Sequence, residues 1–303
     1  MRRAFLFFSD PSMPRIAIPN KGRLADDTRE LFTDAGLDVR SRGDRALSAS
    51  LGGLFEAIFV RAADIPEFVA DGAADLGVTG WDLVAESERD VVPVLDLEIG
   101  KCRLSVAATE ESDVDTVDDI ASGSRVATAF PKLTSRYFRD RGRDICVVPV
   151  SGAAEIAPHL GIADVIVDLV STGSTLRVNG LREVATVMES SARLIASRRS
   201  ADALDDSSER SSEMRGLIAA LESVIRAKGQ RYVMANVPRR SLDDVKRVFP
   251  GLGGPTVVDV MNGGELVAVH AVVPAREITR TIGDLRTLGA TGVLVTRIER
   301  LVP

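Results

Sequence analysis

Apolar runs rich in valine and isoleucine alternate along the chain with amphipathic stretches, beginning at Arg15. The runs RIAIP and EAIFV have the length and the β-branched content of buried strands. The segment ADDTRELFTDAG has acids in its first turn and a closing glycine, Gly36, which predict a helix. In DIPEFVADG a helix is predicted from Asp64 as N-cap and Pro66 in the first turn. A strand, a helix and a further strand in close succession predict parallel strands joined by crossover helices.

A second block repeats this alternation after a long extended segment. Strands are predicted at SRVATAF, ICVVPV and ADVIVDLV, and helices are predicted at LTSRYFRDRG and GAAEIAPHLG. The extended segment VVPVLDLEIGKCRLSVAAT is typical of chain that passes from one lobe to another. We therefore predict an α/β region of two lobes with a cleft between them. The lobes are formed by residues 14–105 with 190–215, and by residues 106–189.

The rest of the chain has a different order of strand and helix patterns. Residues 198–215 are charged and Ser-rich, which indicates a domain boundary, and the helical pattern MRGLIAALESVIRAKG follows. Strand and helix patterns then succeed one another in the order β-α-β-β-α-β, with the turn NGG between the two central strands. This order predicts a ferredoxin-like domain over residues 228–303, whereas residues 1–13 are predicted to be a disordered extension outside the fold.

Composition narrows the class of protein. The 303 residues carry 38 basic and 44 acidic side chains, a formal charge of −6, which disfavours a nucleic-acid-binding surface. No apolar run reaches the length of about 18 residues that a membrane span needs, so no membrane partner is predicted. Two cysteines and two histidines without metal-ligand spacing argue against a zinc site or a disulfide scaffold and suit the cytoplasm.

The stretch DVIVDLVSTGSTL combines a predicted strand with a turn of small polar residues. Backbone N–H groups in such a turn, together with its hydroxyls, form a cradle for an anion such as phosphate. Two aspartates four residues apart lie on one face of the strand, and a carboxylate beside a phosphate cradle suits a phosphorylated sugar. A plain Ser/Gly turn flanked by capping acids is the alternative. The candidate residues are Asp164, Asp168, Ser171, Thr172, Gly173, Ser174 and Thr175.

Several stretches together are similar to those of one enzyme family. The stretch GIADVIVDLVSTGSTLRVNGL resembles the phosphoribosyl diphosphate loop of the ATP phosphoribosyltransferases. The stretches IAIPNKGRL, VRAADIPEFVADGAADLGVTGWDLV and GKCRLSVA agree with the family in the same order. GPTVVDV and VAVHAVV resemble the regulatory domain of its long form, so that the resemblance extends from Arg15 to the C-terminus.

The resemblance implies a periplasmic-binding-protein-like catalytic region and a specific reaction. A ring nitrogen of the adenine of ATP displaces pyrophosphate from 5-phosphoribosyl 1-diphosphate, in the first step of histidine biosynthesis. The resemblance also implies Mg²⁺ as cofactor, feedback inhibition by histidine, and a homo-oligomer, either a dimer or a hexamer. Because charge develops on the sugar and on the leaving group, this reaction needs orientation and positioned cations rather than an enzyme nucleophile.

The resemblance also assigns roles to particular residues. Arg61 follows a predicted strand and is the candidate for stabilising the departing pyrophosphate, with an ion pair to Asp64 as the alternative. No metal ligand is assigned. For residues 21–23 the alternative is a solvated turn, and for residues 79–82 it is a turn with a helix cap. Contacts to ATP are predicted for Lys21, Gly22, Arg23, Arg45, Thr79, Gly80, Asp82 and Lys101, and contacts to histidine for Asn236, Thr256 and Ala271.

Two other classes of protein share parts of this pattern. A solute-binding protein also has two α/β lobes that close on an anionic ligand, but no export signal is predicted at the start of this sequence. An amino-acid-responsive regulator can use a ferredoxin-like domain as its sensor, but the sequence predicts neither a helix-turn-helix nor a basic face. Turnover of ATP and 5-phosphoribosyl 1-diphosphate separates an enzyme from a binding protein.

Overall fold

The computed structural model describes residues 13–40, 46–261 and 264–302. Residues 1–12 of the predicted extension lie outside this range, as does Arg45, one of the predicted ATP contacts. Asn262 and Gly263 of the predicted NGG turn also lie outside it. The chain forms two compact units, and the boundary between them in the sequence lies between Ile218 and Ala219.

Strands and helices alternate within the described residues, as the hydrophobic pattern predicts. The strands are β1 (Arg15–Pro19), β2 (Val39–Arg40), β3 (Ser48–Leu51), β4 (Phe55–Val60), β5 (Leu76–Gly80), β6 (Val91–Asp96), β7 (Cys102–Thr109), β8 (Ser124–Thr128), β9 (Ile145–Pro149), β10 (Val165–Val170), β11 (Leu181–Ser190), β12 (Ala192–Ser197), β13 (Gln230–Pro238), β14 (Thr256–Asp259), β15 (Leu266–Pro274) and β16 (Thr291–Arg297). The helices are α1 (Arg23–Asp34), α2 (Ile65–Ala70), α3 (Trp81–Ser87), α4 (Pro131–Arg139), α5 (Ser174–Val178), α6 (Arg198–Asp202), α7 (Glu209–Lys228), α8 (Leu242–Val248) and α9 (Ile278–Thr287).

The first sheet has the strand order β2-β3-β4-β1-β5-β12-β6 within the described residues. Strands β4, β1 and β5 are parallel neighbours, and β12 pairs antiparallel with both β5 and β6. Ile16, Ala17 and Ile18 of the central strand are at most 1% exposed, as expected for a parallel strand that is buried on both faces. The carboxyl ends of β1, β4 and β5 therefore lie side by side at one edge.

The second sheet has the order β11-β7-β10-β8-β9 within the same residues. Strands β8, β9 and β10 are parallel, whereas β7 runs antiparallel to both β10 and β11. Side chains of β10 alternate between two apolar layers, with Val165 and Val167 on one face and Ile166 and Val170 on the other. The hydrophobic pattern thus fixes which face of β10 each side chain occupies.

The chain passes twice between these two sheets, from β6 to β7 and from β11 to β12. Backbone hydrogen bonds join the two crossovers, since the Leu97 N–H donates to Ala192 O at 3.0 Å and the Ala192 N–H donates to Ile99 O at 2.9 Å. Gly100 bends the first crossover with a φ of 61°, which costs little without a Cβ. Two α/β lobes joined by paired crossovers confirm the predicted periplasmic-binding-protein-like architecture.

The C-terminal strands form an antiparallel sheet of order β14-β15-β13-β16 in the described residues. An apolar core on one face combines Val233, Val237 and Val269 of the sheet with Val245 of α8 and Leu285 of α9, all fully buried. The order of elements and of strands is that of a ferredoxin-like fold. The predicted fold of this part of the chain is therefore confirmed.

The predicted helix at GAAEIAPHLG is wrong. The segment contains a 3-10 helix, Ala154–Ile156, followed by turns. Ala153 has a left-handed φ of 53°, and Pro158 supplies no N–H, so a regular helix cannot extend through the segment. Glu155 and His159, expected on this helix, lie in the 3-10 helix and in the turn that follows.

The Ser-rich segment 198–215 is largely helical, and the boundary between the compact units lies after it, inside α7. Serines begin its helices. Ser197, directly before the segment, accepts at Oγ from the Ser200 N–H at 3.0 Å at the start of α6, and Ser208 Oγ accepts from the Ser211 N–H at 3.3 Å at the start of α7. None of the helices in the described ranges has the length and apolar character needed to cross a membrane.

Candidate active site

The carboxyl end of β10 opens into a cavity of about 100 Å³. Its lining is continuous in sequence from Asp168 to Leu176, and Glu155 joins it from the 3-10 helix Ala154–Ile156 that follows β9. Because β8, β9 and β10 are parallel, their carboxyl ends meet at one edge, which is where open α/β sheets bind ligands. Most of the predicted phosphoribosyl contacts line this cavity, namely Asp168, Ser171, Thr172, Gly173, Ser174 and Thr175.

Residues 171–175, here called the phosphate loop, turn from β10 into α5. Gly173 precedes the helix with a φ of 74° and a ψ of 5°, a left-handed conformation that glycine adopts readily. The hydroxyls of Thr172 and Ser174 lie 3.0 Å apart. Within the described residues, no group accepts a hydrogen bond from the N–H of Thr172, Gly173 or Thr175. The loop therefore presents N–H and hydroxyl donors that an anion can use.

Asp168 and Glu155 supply the negative side of the cavity. Burial raises the pKa of Asp168, the Leu169 N–H that donates to its Oδ1 at 2.7 Å lowers it, and the nearby charge of Glu155 raises it again. Asp168 and Glu155 line the same small cavity and are therefore placed to accept from neighbouring hydroxyls of one ligand. Sequence reasoning missed Glu155, although the polar turn after the strand ICVVP marks the carboxyl end of a parallel strand.

Sequence reasoning also missed a cation above the phosphate loop. A Cβ added at Gly173 would lie 3.3 Å from Nη1 of Arg177, so this guanidinium folds back over the turn from α5. Arg177 is exposed, and its side chain forms no ion pair with any residue in the described ranges. The four-residue spacing from Gly173 was the available signal, because residues four apart are neighbours on a helix.

Asp164, the remaining predicted phosphoribosyl contact, lies at the opposite end of β10. At the rise of an extended strand it is about 13 Å from Asp168. Its carboxylate accepts from Nη2 of Arg125 at 2.9 Å and from the Arg125 N–H at 2.8 Å, and these bonds hold the pKa of Asp164 below its usual value. The prediction for Asp164 is therefore corrected, since it ties the start of β10 to β8 and does not line the cavity.

The first lobe brings several predicted ATP contacts to one edge of its sheet. Lys21, Gly22 and Arg23 follow β1, Arg61 follows β4, and Gly80 ends β5. Because these three strands are parallel neighbours, the residues after them lie side by side. Arg61 is exposed, and its guanidinium has neither a hydrogen bond nor an ion pair with any described residue. The alternative ion pair to Asp64 is therefore not formed.

Thr79 and Asp82 have partners inside the protein. Thr79 is fully buried and its hydroxyl donates to Ala62 O at 2.7 Å. Asp82 is 4% exposed, and Ser190 Oγ donates to its Oδ1 at 2.6 Å while accepting from the Asp82 N–H at 3.0 Å. Burial raises the pKa of Asp82, and the bond from Ser190 lowers it less. Both side chains thus have hydrogen-bond partners inside the protein, and contact of either one with ATP stays a prediction.

Lys101 lies on the crossover from β6 to β7. A Cβ added at Gly100 would lie 3.7 Å from Leu24 Cδ1, so the crossover passes the first turn of α1 and brings Lys101 to the end of the lobe where β1 ends. The Lys101 ammonium is exposed and pairs with Glu98 at 3.3 Å. Burial, with the charge of Asp82 second, raises the pKa of the neighbouring Cys102 to about 11. That thiol is protonated at neutral pH and is not a nucleophile.

The predicted histidine contacts do not lie on one face of the C-terminal sheet. Asn236 and Thr256 pair with residues of β15 whose side chains face away from the apolar core. Ala271 is 6% exposed and belongs to that core. Gly251 packs so closely against it that a Cβ added at Gly251 would lie 3.0 Å from the Cβ of Ala271. The structure thus separates the Ala271 side chain from the other two and places a glycine-rich turn over it.

Metal ligands are sparse. In the part of the chain that the structure describes, no group of three or more His, Cys, Asp or Glu side chains is arranged to hold a metal ion. The cavity does carry two carboxylates, Glu155 and Asp168. Mg²⁺ commonly takes one or two carboxylates and completes its shell with substrate phosphates and water. The cavity therefore fits a Mg²⁺ ion that is held largely by a phosphorylated substrate.

Known proteins share this architecture and these motifs. A family model described as ATP phosphoribosyltransferase matches residues 61–223, and one described as HisG, C-terminal domain, matches residues 227–300. The chain belongs to the ATP phosphoribosyltransferase family. The matched ranges contain the cavity, Arg61 and the ferredoxin-like part, so the resemblance drawn from the sequence motifs is confirmed for the long form of the ATP phosphoribosyltransferases.

Individual ATP phosphoribosyltransferases are similar over nearly their full length. The protein of that name from Gemmatimonas aurantiaca is 64% identical over 297 residues, which cover 96% of this chain and 100% of that protein. The one from Haloarcula marismortui is 50% identical over 290 residues, covering 95% of this chain and 99% of that protein. A chain of the solved ATP phosphoribosyl transferase (HisG:HisZ) complex from Thermotoga maritima superposes with a TM-score of 0.60 at 25% identity, covering 71% of this chain and 98% of that chain.

Proposed function

We propose that the chain is an ATP phosphoribosyltransferase that joins ATP to 5-phosphoribosyl 1-diphosphate, releasing pyrophosphate, in the first step of histidine biosynthesis. The observation that carries the proposal is the cavity at the end of β10, where free N–H donors of the phosphate loop lie beside Asp168 and Glu155. Donors for a phosphate next to acceptors for sugar hydroxyls suit a phosphorylated ribose. Membership of the family supports the same assignment.

The phosphoribosyl donor binds with its 5-phosphate in the phosphate loop. The N–H groups of Thr172, Gly173 and Thr175 and the hydroxyls of Thr172 and Ser174 donate to the phosphate oxygens, and Arg177 adds a positive charge from above. The carboxylates of Asp168 and Glu155 accept from the ribose hydroxyls. These contacts orient the anomeric carbon for attack, which is where most of the rate enhancement of such a transfer arises.

Cations of the first lobe act on the leaving group and on ATP. Arg61 is exposed and unpaired among the described residues, so its guanidinium is available to the pyrophosphate as negative charge develops there. Lys21, Arg23 and Lys101 lie at the same end of the lobe and bind the phosphates of ATP. Lys101 is two residues before Arg103, whose Nη1 donates to Ser171 O of the phosphate loop at 3.3 Å, so the crossover connects this end of the first lobe to the cavity.

We propose that Mg²⁺ binds in the cavity together with the phosphorylated substrate. Asp168 and Glu155 are the residues of the cavity able to ligate it, and the remaining positions are left to phosphate oxygens and water. When bound, the ion neutralises charge on the pyrophosphate. The protonated thiol of Cys102 and the absence of a nucleophile with an activating base around the cavity's described residues agree with a direct displacement.

A turnover assay tests the proposal. The full-length protein is mixed with ATP, 5-phosphoribosyl 1-diphosphate and Mg²⁺, and both the absorbance change of the modified adenine and the release of pyrophosphate are followed. We expect both signals to rise in proportion to enzyme concentration and to require each of the three additions. Saturable binding of either substrate without pyrophosphate release would instead support a solute-binding protein and overturn the proposal.

Regulation by histidine and assembly into a homo-oligomer are further parts of the proposal. The ferredoxin-like part matches the HisG C-terminal domain, and Thr256 and Asn236 leave polar side chains on its open face. A bound amino acid needs partners for both its ammonium and its carboxylate. Turnover measured with increasing histidine should fall, and unchanged turnover would contradict this part alone. Sedimentation velocity at several protein concentrations tests the predicted dimer or hexamer.

A further inference from the structure

Arg103, on β7, joins the phosphate loop to the sheet. Its Nη1 donates to Ser171 O at 3.3 Å, while Nε and Nη2 each donate to one carboxylate oxygen of Glu183 at 2.5 Å. Ser105 Oγ donates to the same carboxylate at 2.7 Å. The side chains of Arg103 and Glu183 are 30% and 26% exposed, so both are largely shielded from water. A planar guanidinium held at two nitrogens has one orientation, and Glu183 therefore sets where Nη1 points.

Arg103 and Ser105 lie on the face of the second sheet that also carries Asp168 of the cavity. In the antiparallel register Arg103 is opposite Val170 and Ser105 is opposite Asp168. Residues directly opposite each other on antiparallel strands share a face. Val170 packs in the apolar layer that contains Leu176 of α5. Arg103 thus contacts the phosphate loop from the side on which the loop and its helix rest.

The contact with Ser171 fixes the direction of a donor in the loop. The Ser171 carbonyl and the Thr172 N–H belong to one planar trans peptide, so they point in opposite directions. Arg103 holds the carbonyl, which leaves the N–H directed away from Arg103. In the described residues that N–H has no acceptor, and Thr172 lines the cavity.

We infer that Arg103 is a positioning residue that aims the Thr172 N–H at the 5-phosphate of the donor, with Glu183 orienting Arg103. The inference rests on the proposed function, because it assigns the 5-phosphate to the phosphate loop. It gives a role to the arginine of the motif GKCRLSVA, to which sequence reasoning assigned none. Its partners are 68 and 80 residues away in sequence, so only the folded chain brings them together.

Arg103→Lys is the first test. Lysine keeps the charge but offers one nitrogen, which cannot serve the Glu183 carboxylate and the Ser171 carbonyl in the same geometry. We expect the KM for 5-phosphoribosyl 1-diphosphate to rise about tenfold, the effect of one hydrogen bond to a charged group, while the KM for ATP stays unchanged. Glu183→Gln should raise the same KM, although Glu183 does not contact substrate. In the double variant of Arg103 and Glu183 the fold-increase in this KM should be smaller than the product of the two single fold-increases.

Binding of ribose 5-phosphate separates positioning from direct contact. This probe carries the 5-phosphate and lacks the pyrophosphate. If Arg103 acts through the phosphate loop, calorimetry on the full-length protein should give the same fold-loss of affinity for ribose 5-phosphate and for 5-phosphoribosyl 1-diphosphate in Arg103→Lys. A loss confined to the diphosphate would mean that Arg103 contacts the pyrophosphate itself, which overturns the inference.

Arg182→Lys is the matched control. Arg182 also bridges a backbone carbonyl and a carboxylate, donating to Ser112 O at 2.9 Å and pairing with Asp115 at 2.8 Å, and its side chain is equally 30% exposed. We expect wild-type KM values in this variant. An unchanged donor KM in Arg103→Lys, or an equal rise in the KM for ATP, would overturn the inference and leave the proposed function standing. A wild-type protein without turnover would overturn the proposed function instead.

Discussion

Asp168→Asn should weaken binding of the phosphoribosyl donor and, at the same time, stabilise the folded protein at neutral pH. The amide has the shape of the carboxyl group and can still accept from the Leu169 N–H, which donates to Oδ1 at 2.7 Å in the wild type. What the substitution removes is the charge, which burial disfavours. Binding and stability therefore respond to this single change with opposite signs.

The sign of the stability effect depends on pH. Burial raises the pKa of Asp168 above its ordinary value of 3.8, so the folded protein holds this proton more tightly than the unfolded chain does. Well below pH 3.8 the carboxyl is protonated in both states, and its ionisation contributes no difference. As pH rises through the raised pKa, the wild type loses stability that the variant keeps. The melting temperature of the variant relative to the wild type should therefore increase from pH 4 upward and then level off.

The magnitude of the binding effect follows from the hydrogen bonds that a carboxylate offers to ribose hydroxyls. Losing a hydrogen bond to a charged group costs about 1.5–3 kcal/mol, which corresponds to an affinity about ten to a hundred times weaker. Calorimetric titration with 5-phosphoribosyl 1-diphosphate and Mg²⁺ at pH 7.5 measures this loss, and scanning calorimetry between pH 4 and pH 8 measures the stability difference.

Asp164→Asn is the matched control on the same strand. Arg125 lowers the pKa of Asp164, so this carboxylate stabilises the fold above pH 4 and the contribution is lost only as pH falls through the lowered pKa. The control should therefore be less stable than the wild type at neutral pH and should bind the donor normally. Wild-type donor affinity in Asp168→Asn, or reduced stability of that variant at pH 7.5, would refute the reasoning.

Three other substitutions test other parts of the molecule. Arg61→Ala should lower kcat about a hundredfold with little change in either KM. Arg89→Ala removes an arginine that pairs with Glu67, and as the control it should show wild-type kinetics. A change in KM alone would make Arg61 a binding residue. Thr79→Val should lower the free energy of unfolding by about 1–3 kcal/mol in urea melts and leave the KM for ATP unchanged, because its hydroxyl is bonded inside the protein. Thr256→Ala should raise the histidine concentration for half-inhibition and keep kcat, and an unshifted inhibition curve would remove Thr256 from the histidine site.

Much of the fold was predictable from the sequence because its signals are local. Alternating strand and helix patterns placed both lobes and the β-α-β-β-α-β order, and Gly173 in a run of Ser and Thr marked the phosphate loop. The failed helix at GAAEIAPHLG shows the limit of that pattern, since the apolar spacing was present but Ala153 and Pro158 interrupt the backbone.

The candidate site was less predictable because its residue roles depend on distant partners. Asp164 and Asp168 share a face of β10, as their spacing requires, but only Asp164 meets Arg125, which is 39 residues away. Asp82 was predicted to contact ATP, yet its partner Ser190 follows 108 residues later. Neither contact has a signature near the residue itself, so a single sequence cannot separate a ligand contact from a structural bond at such positions.

What distinguishes ligand contacts from structural bonds is whether the hydrogen bonds of a residue are formed within the protein. A buried polar group must find a partner, and Thr79 and Asp82 each have one within the protein. The exposed Asp164 is also bonded within the protein, to Arg125, so all three stabilise the fold as it stands. Arg61 and the N–H groups of Thr172, Gly173 and Thr175 have none in the described residues, and water or a ligand must complete them. The N–H groups of the loop lose little freedom when an anion binds, because the backbone that orients them is already fixed by folding. Among residues of the same polar types, those whose hydrogen bonds are completed within the protein stabilise the fold, and those whose hydrogen bonds are left open are available to bind a ligand.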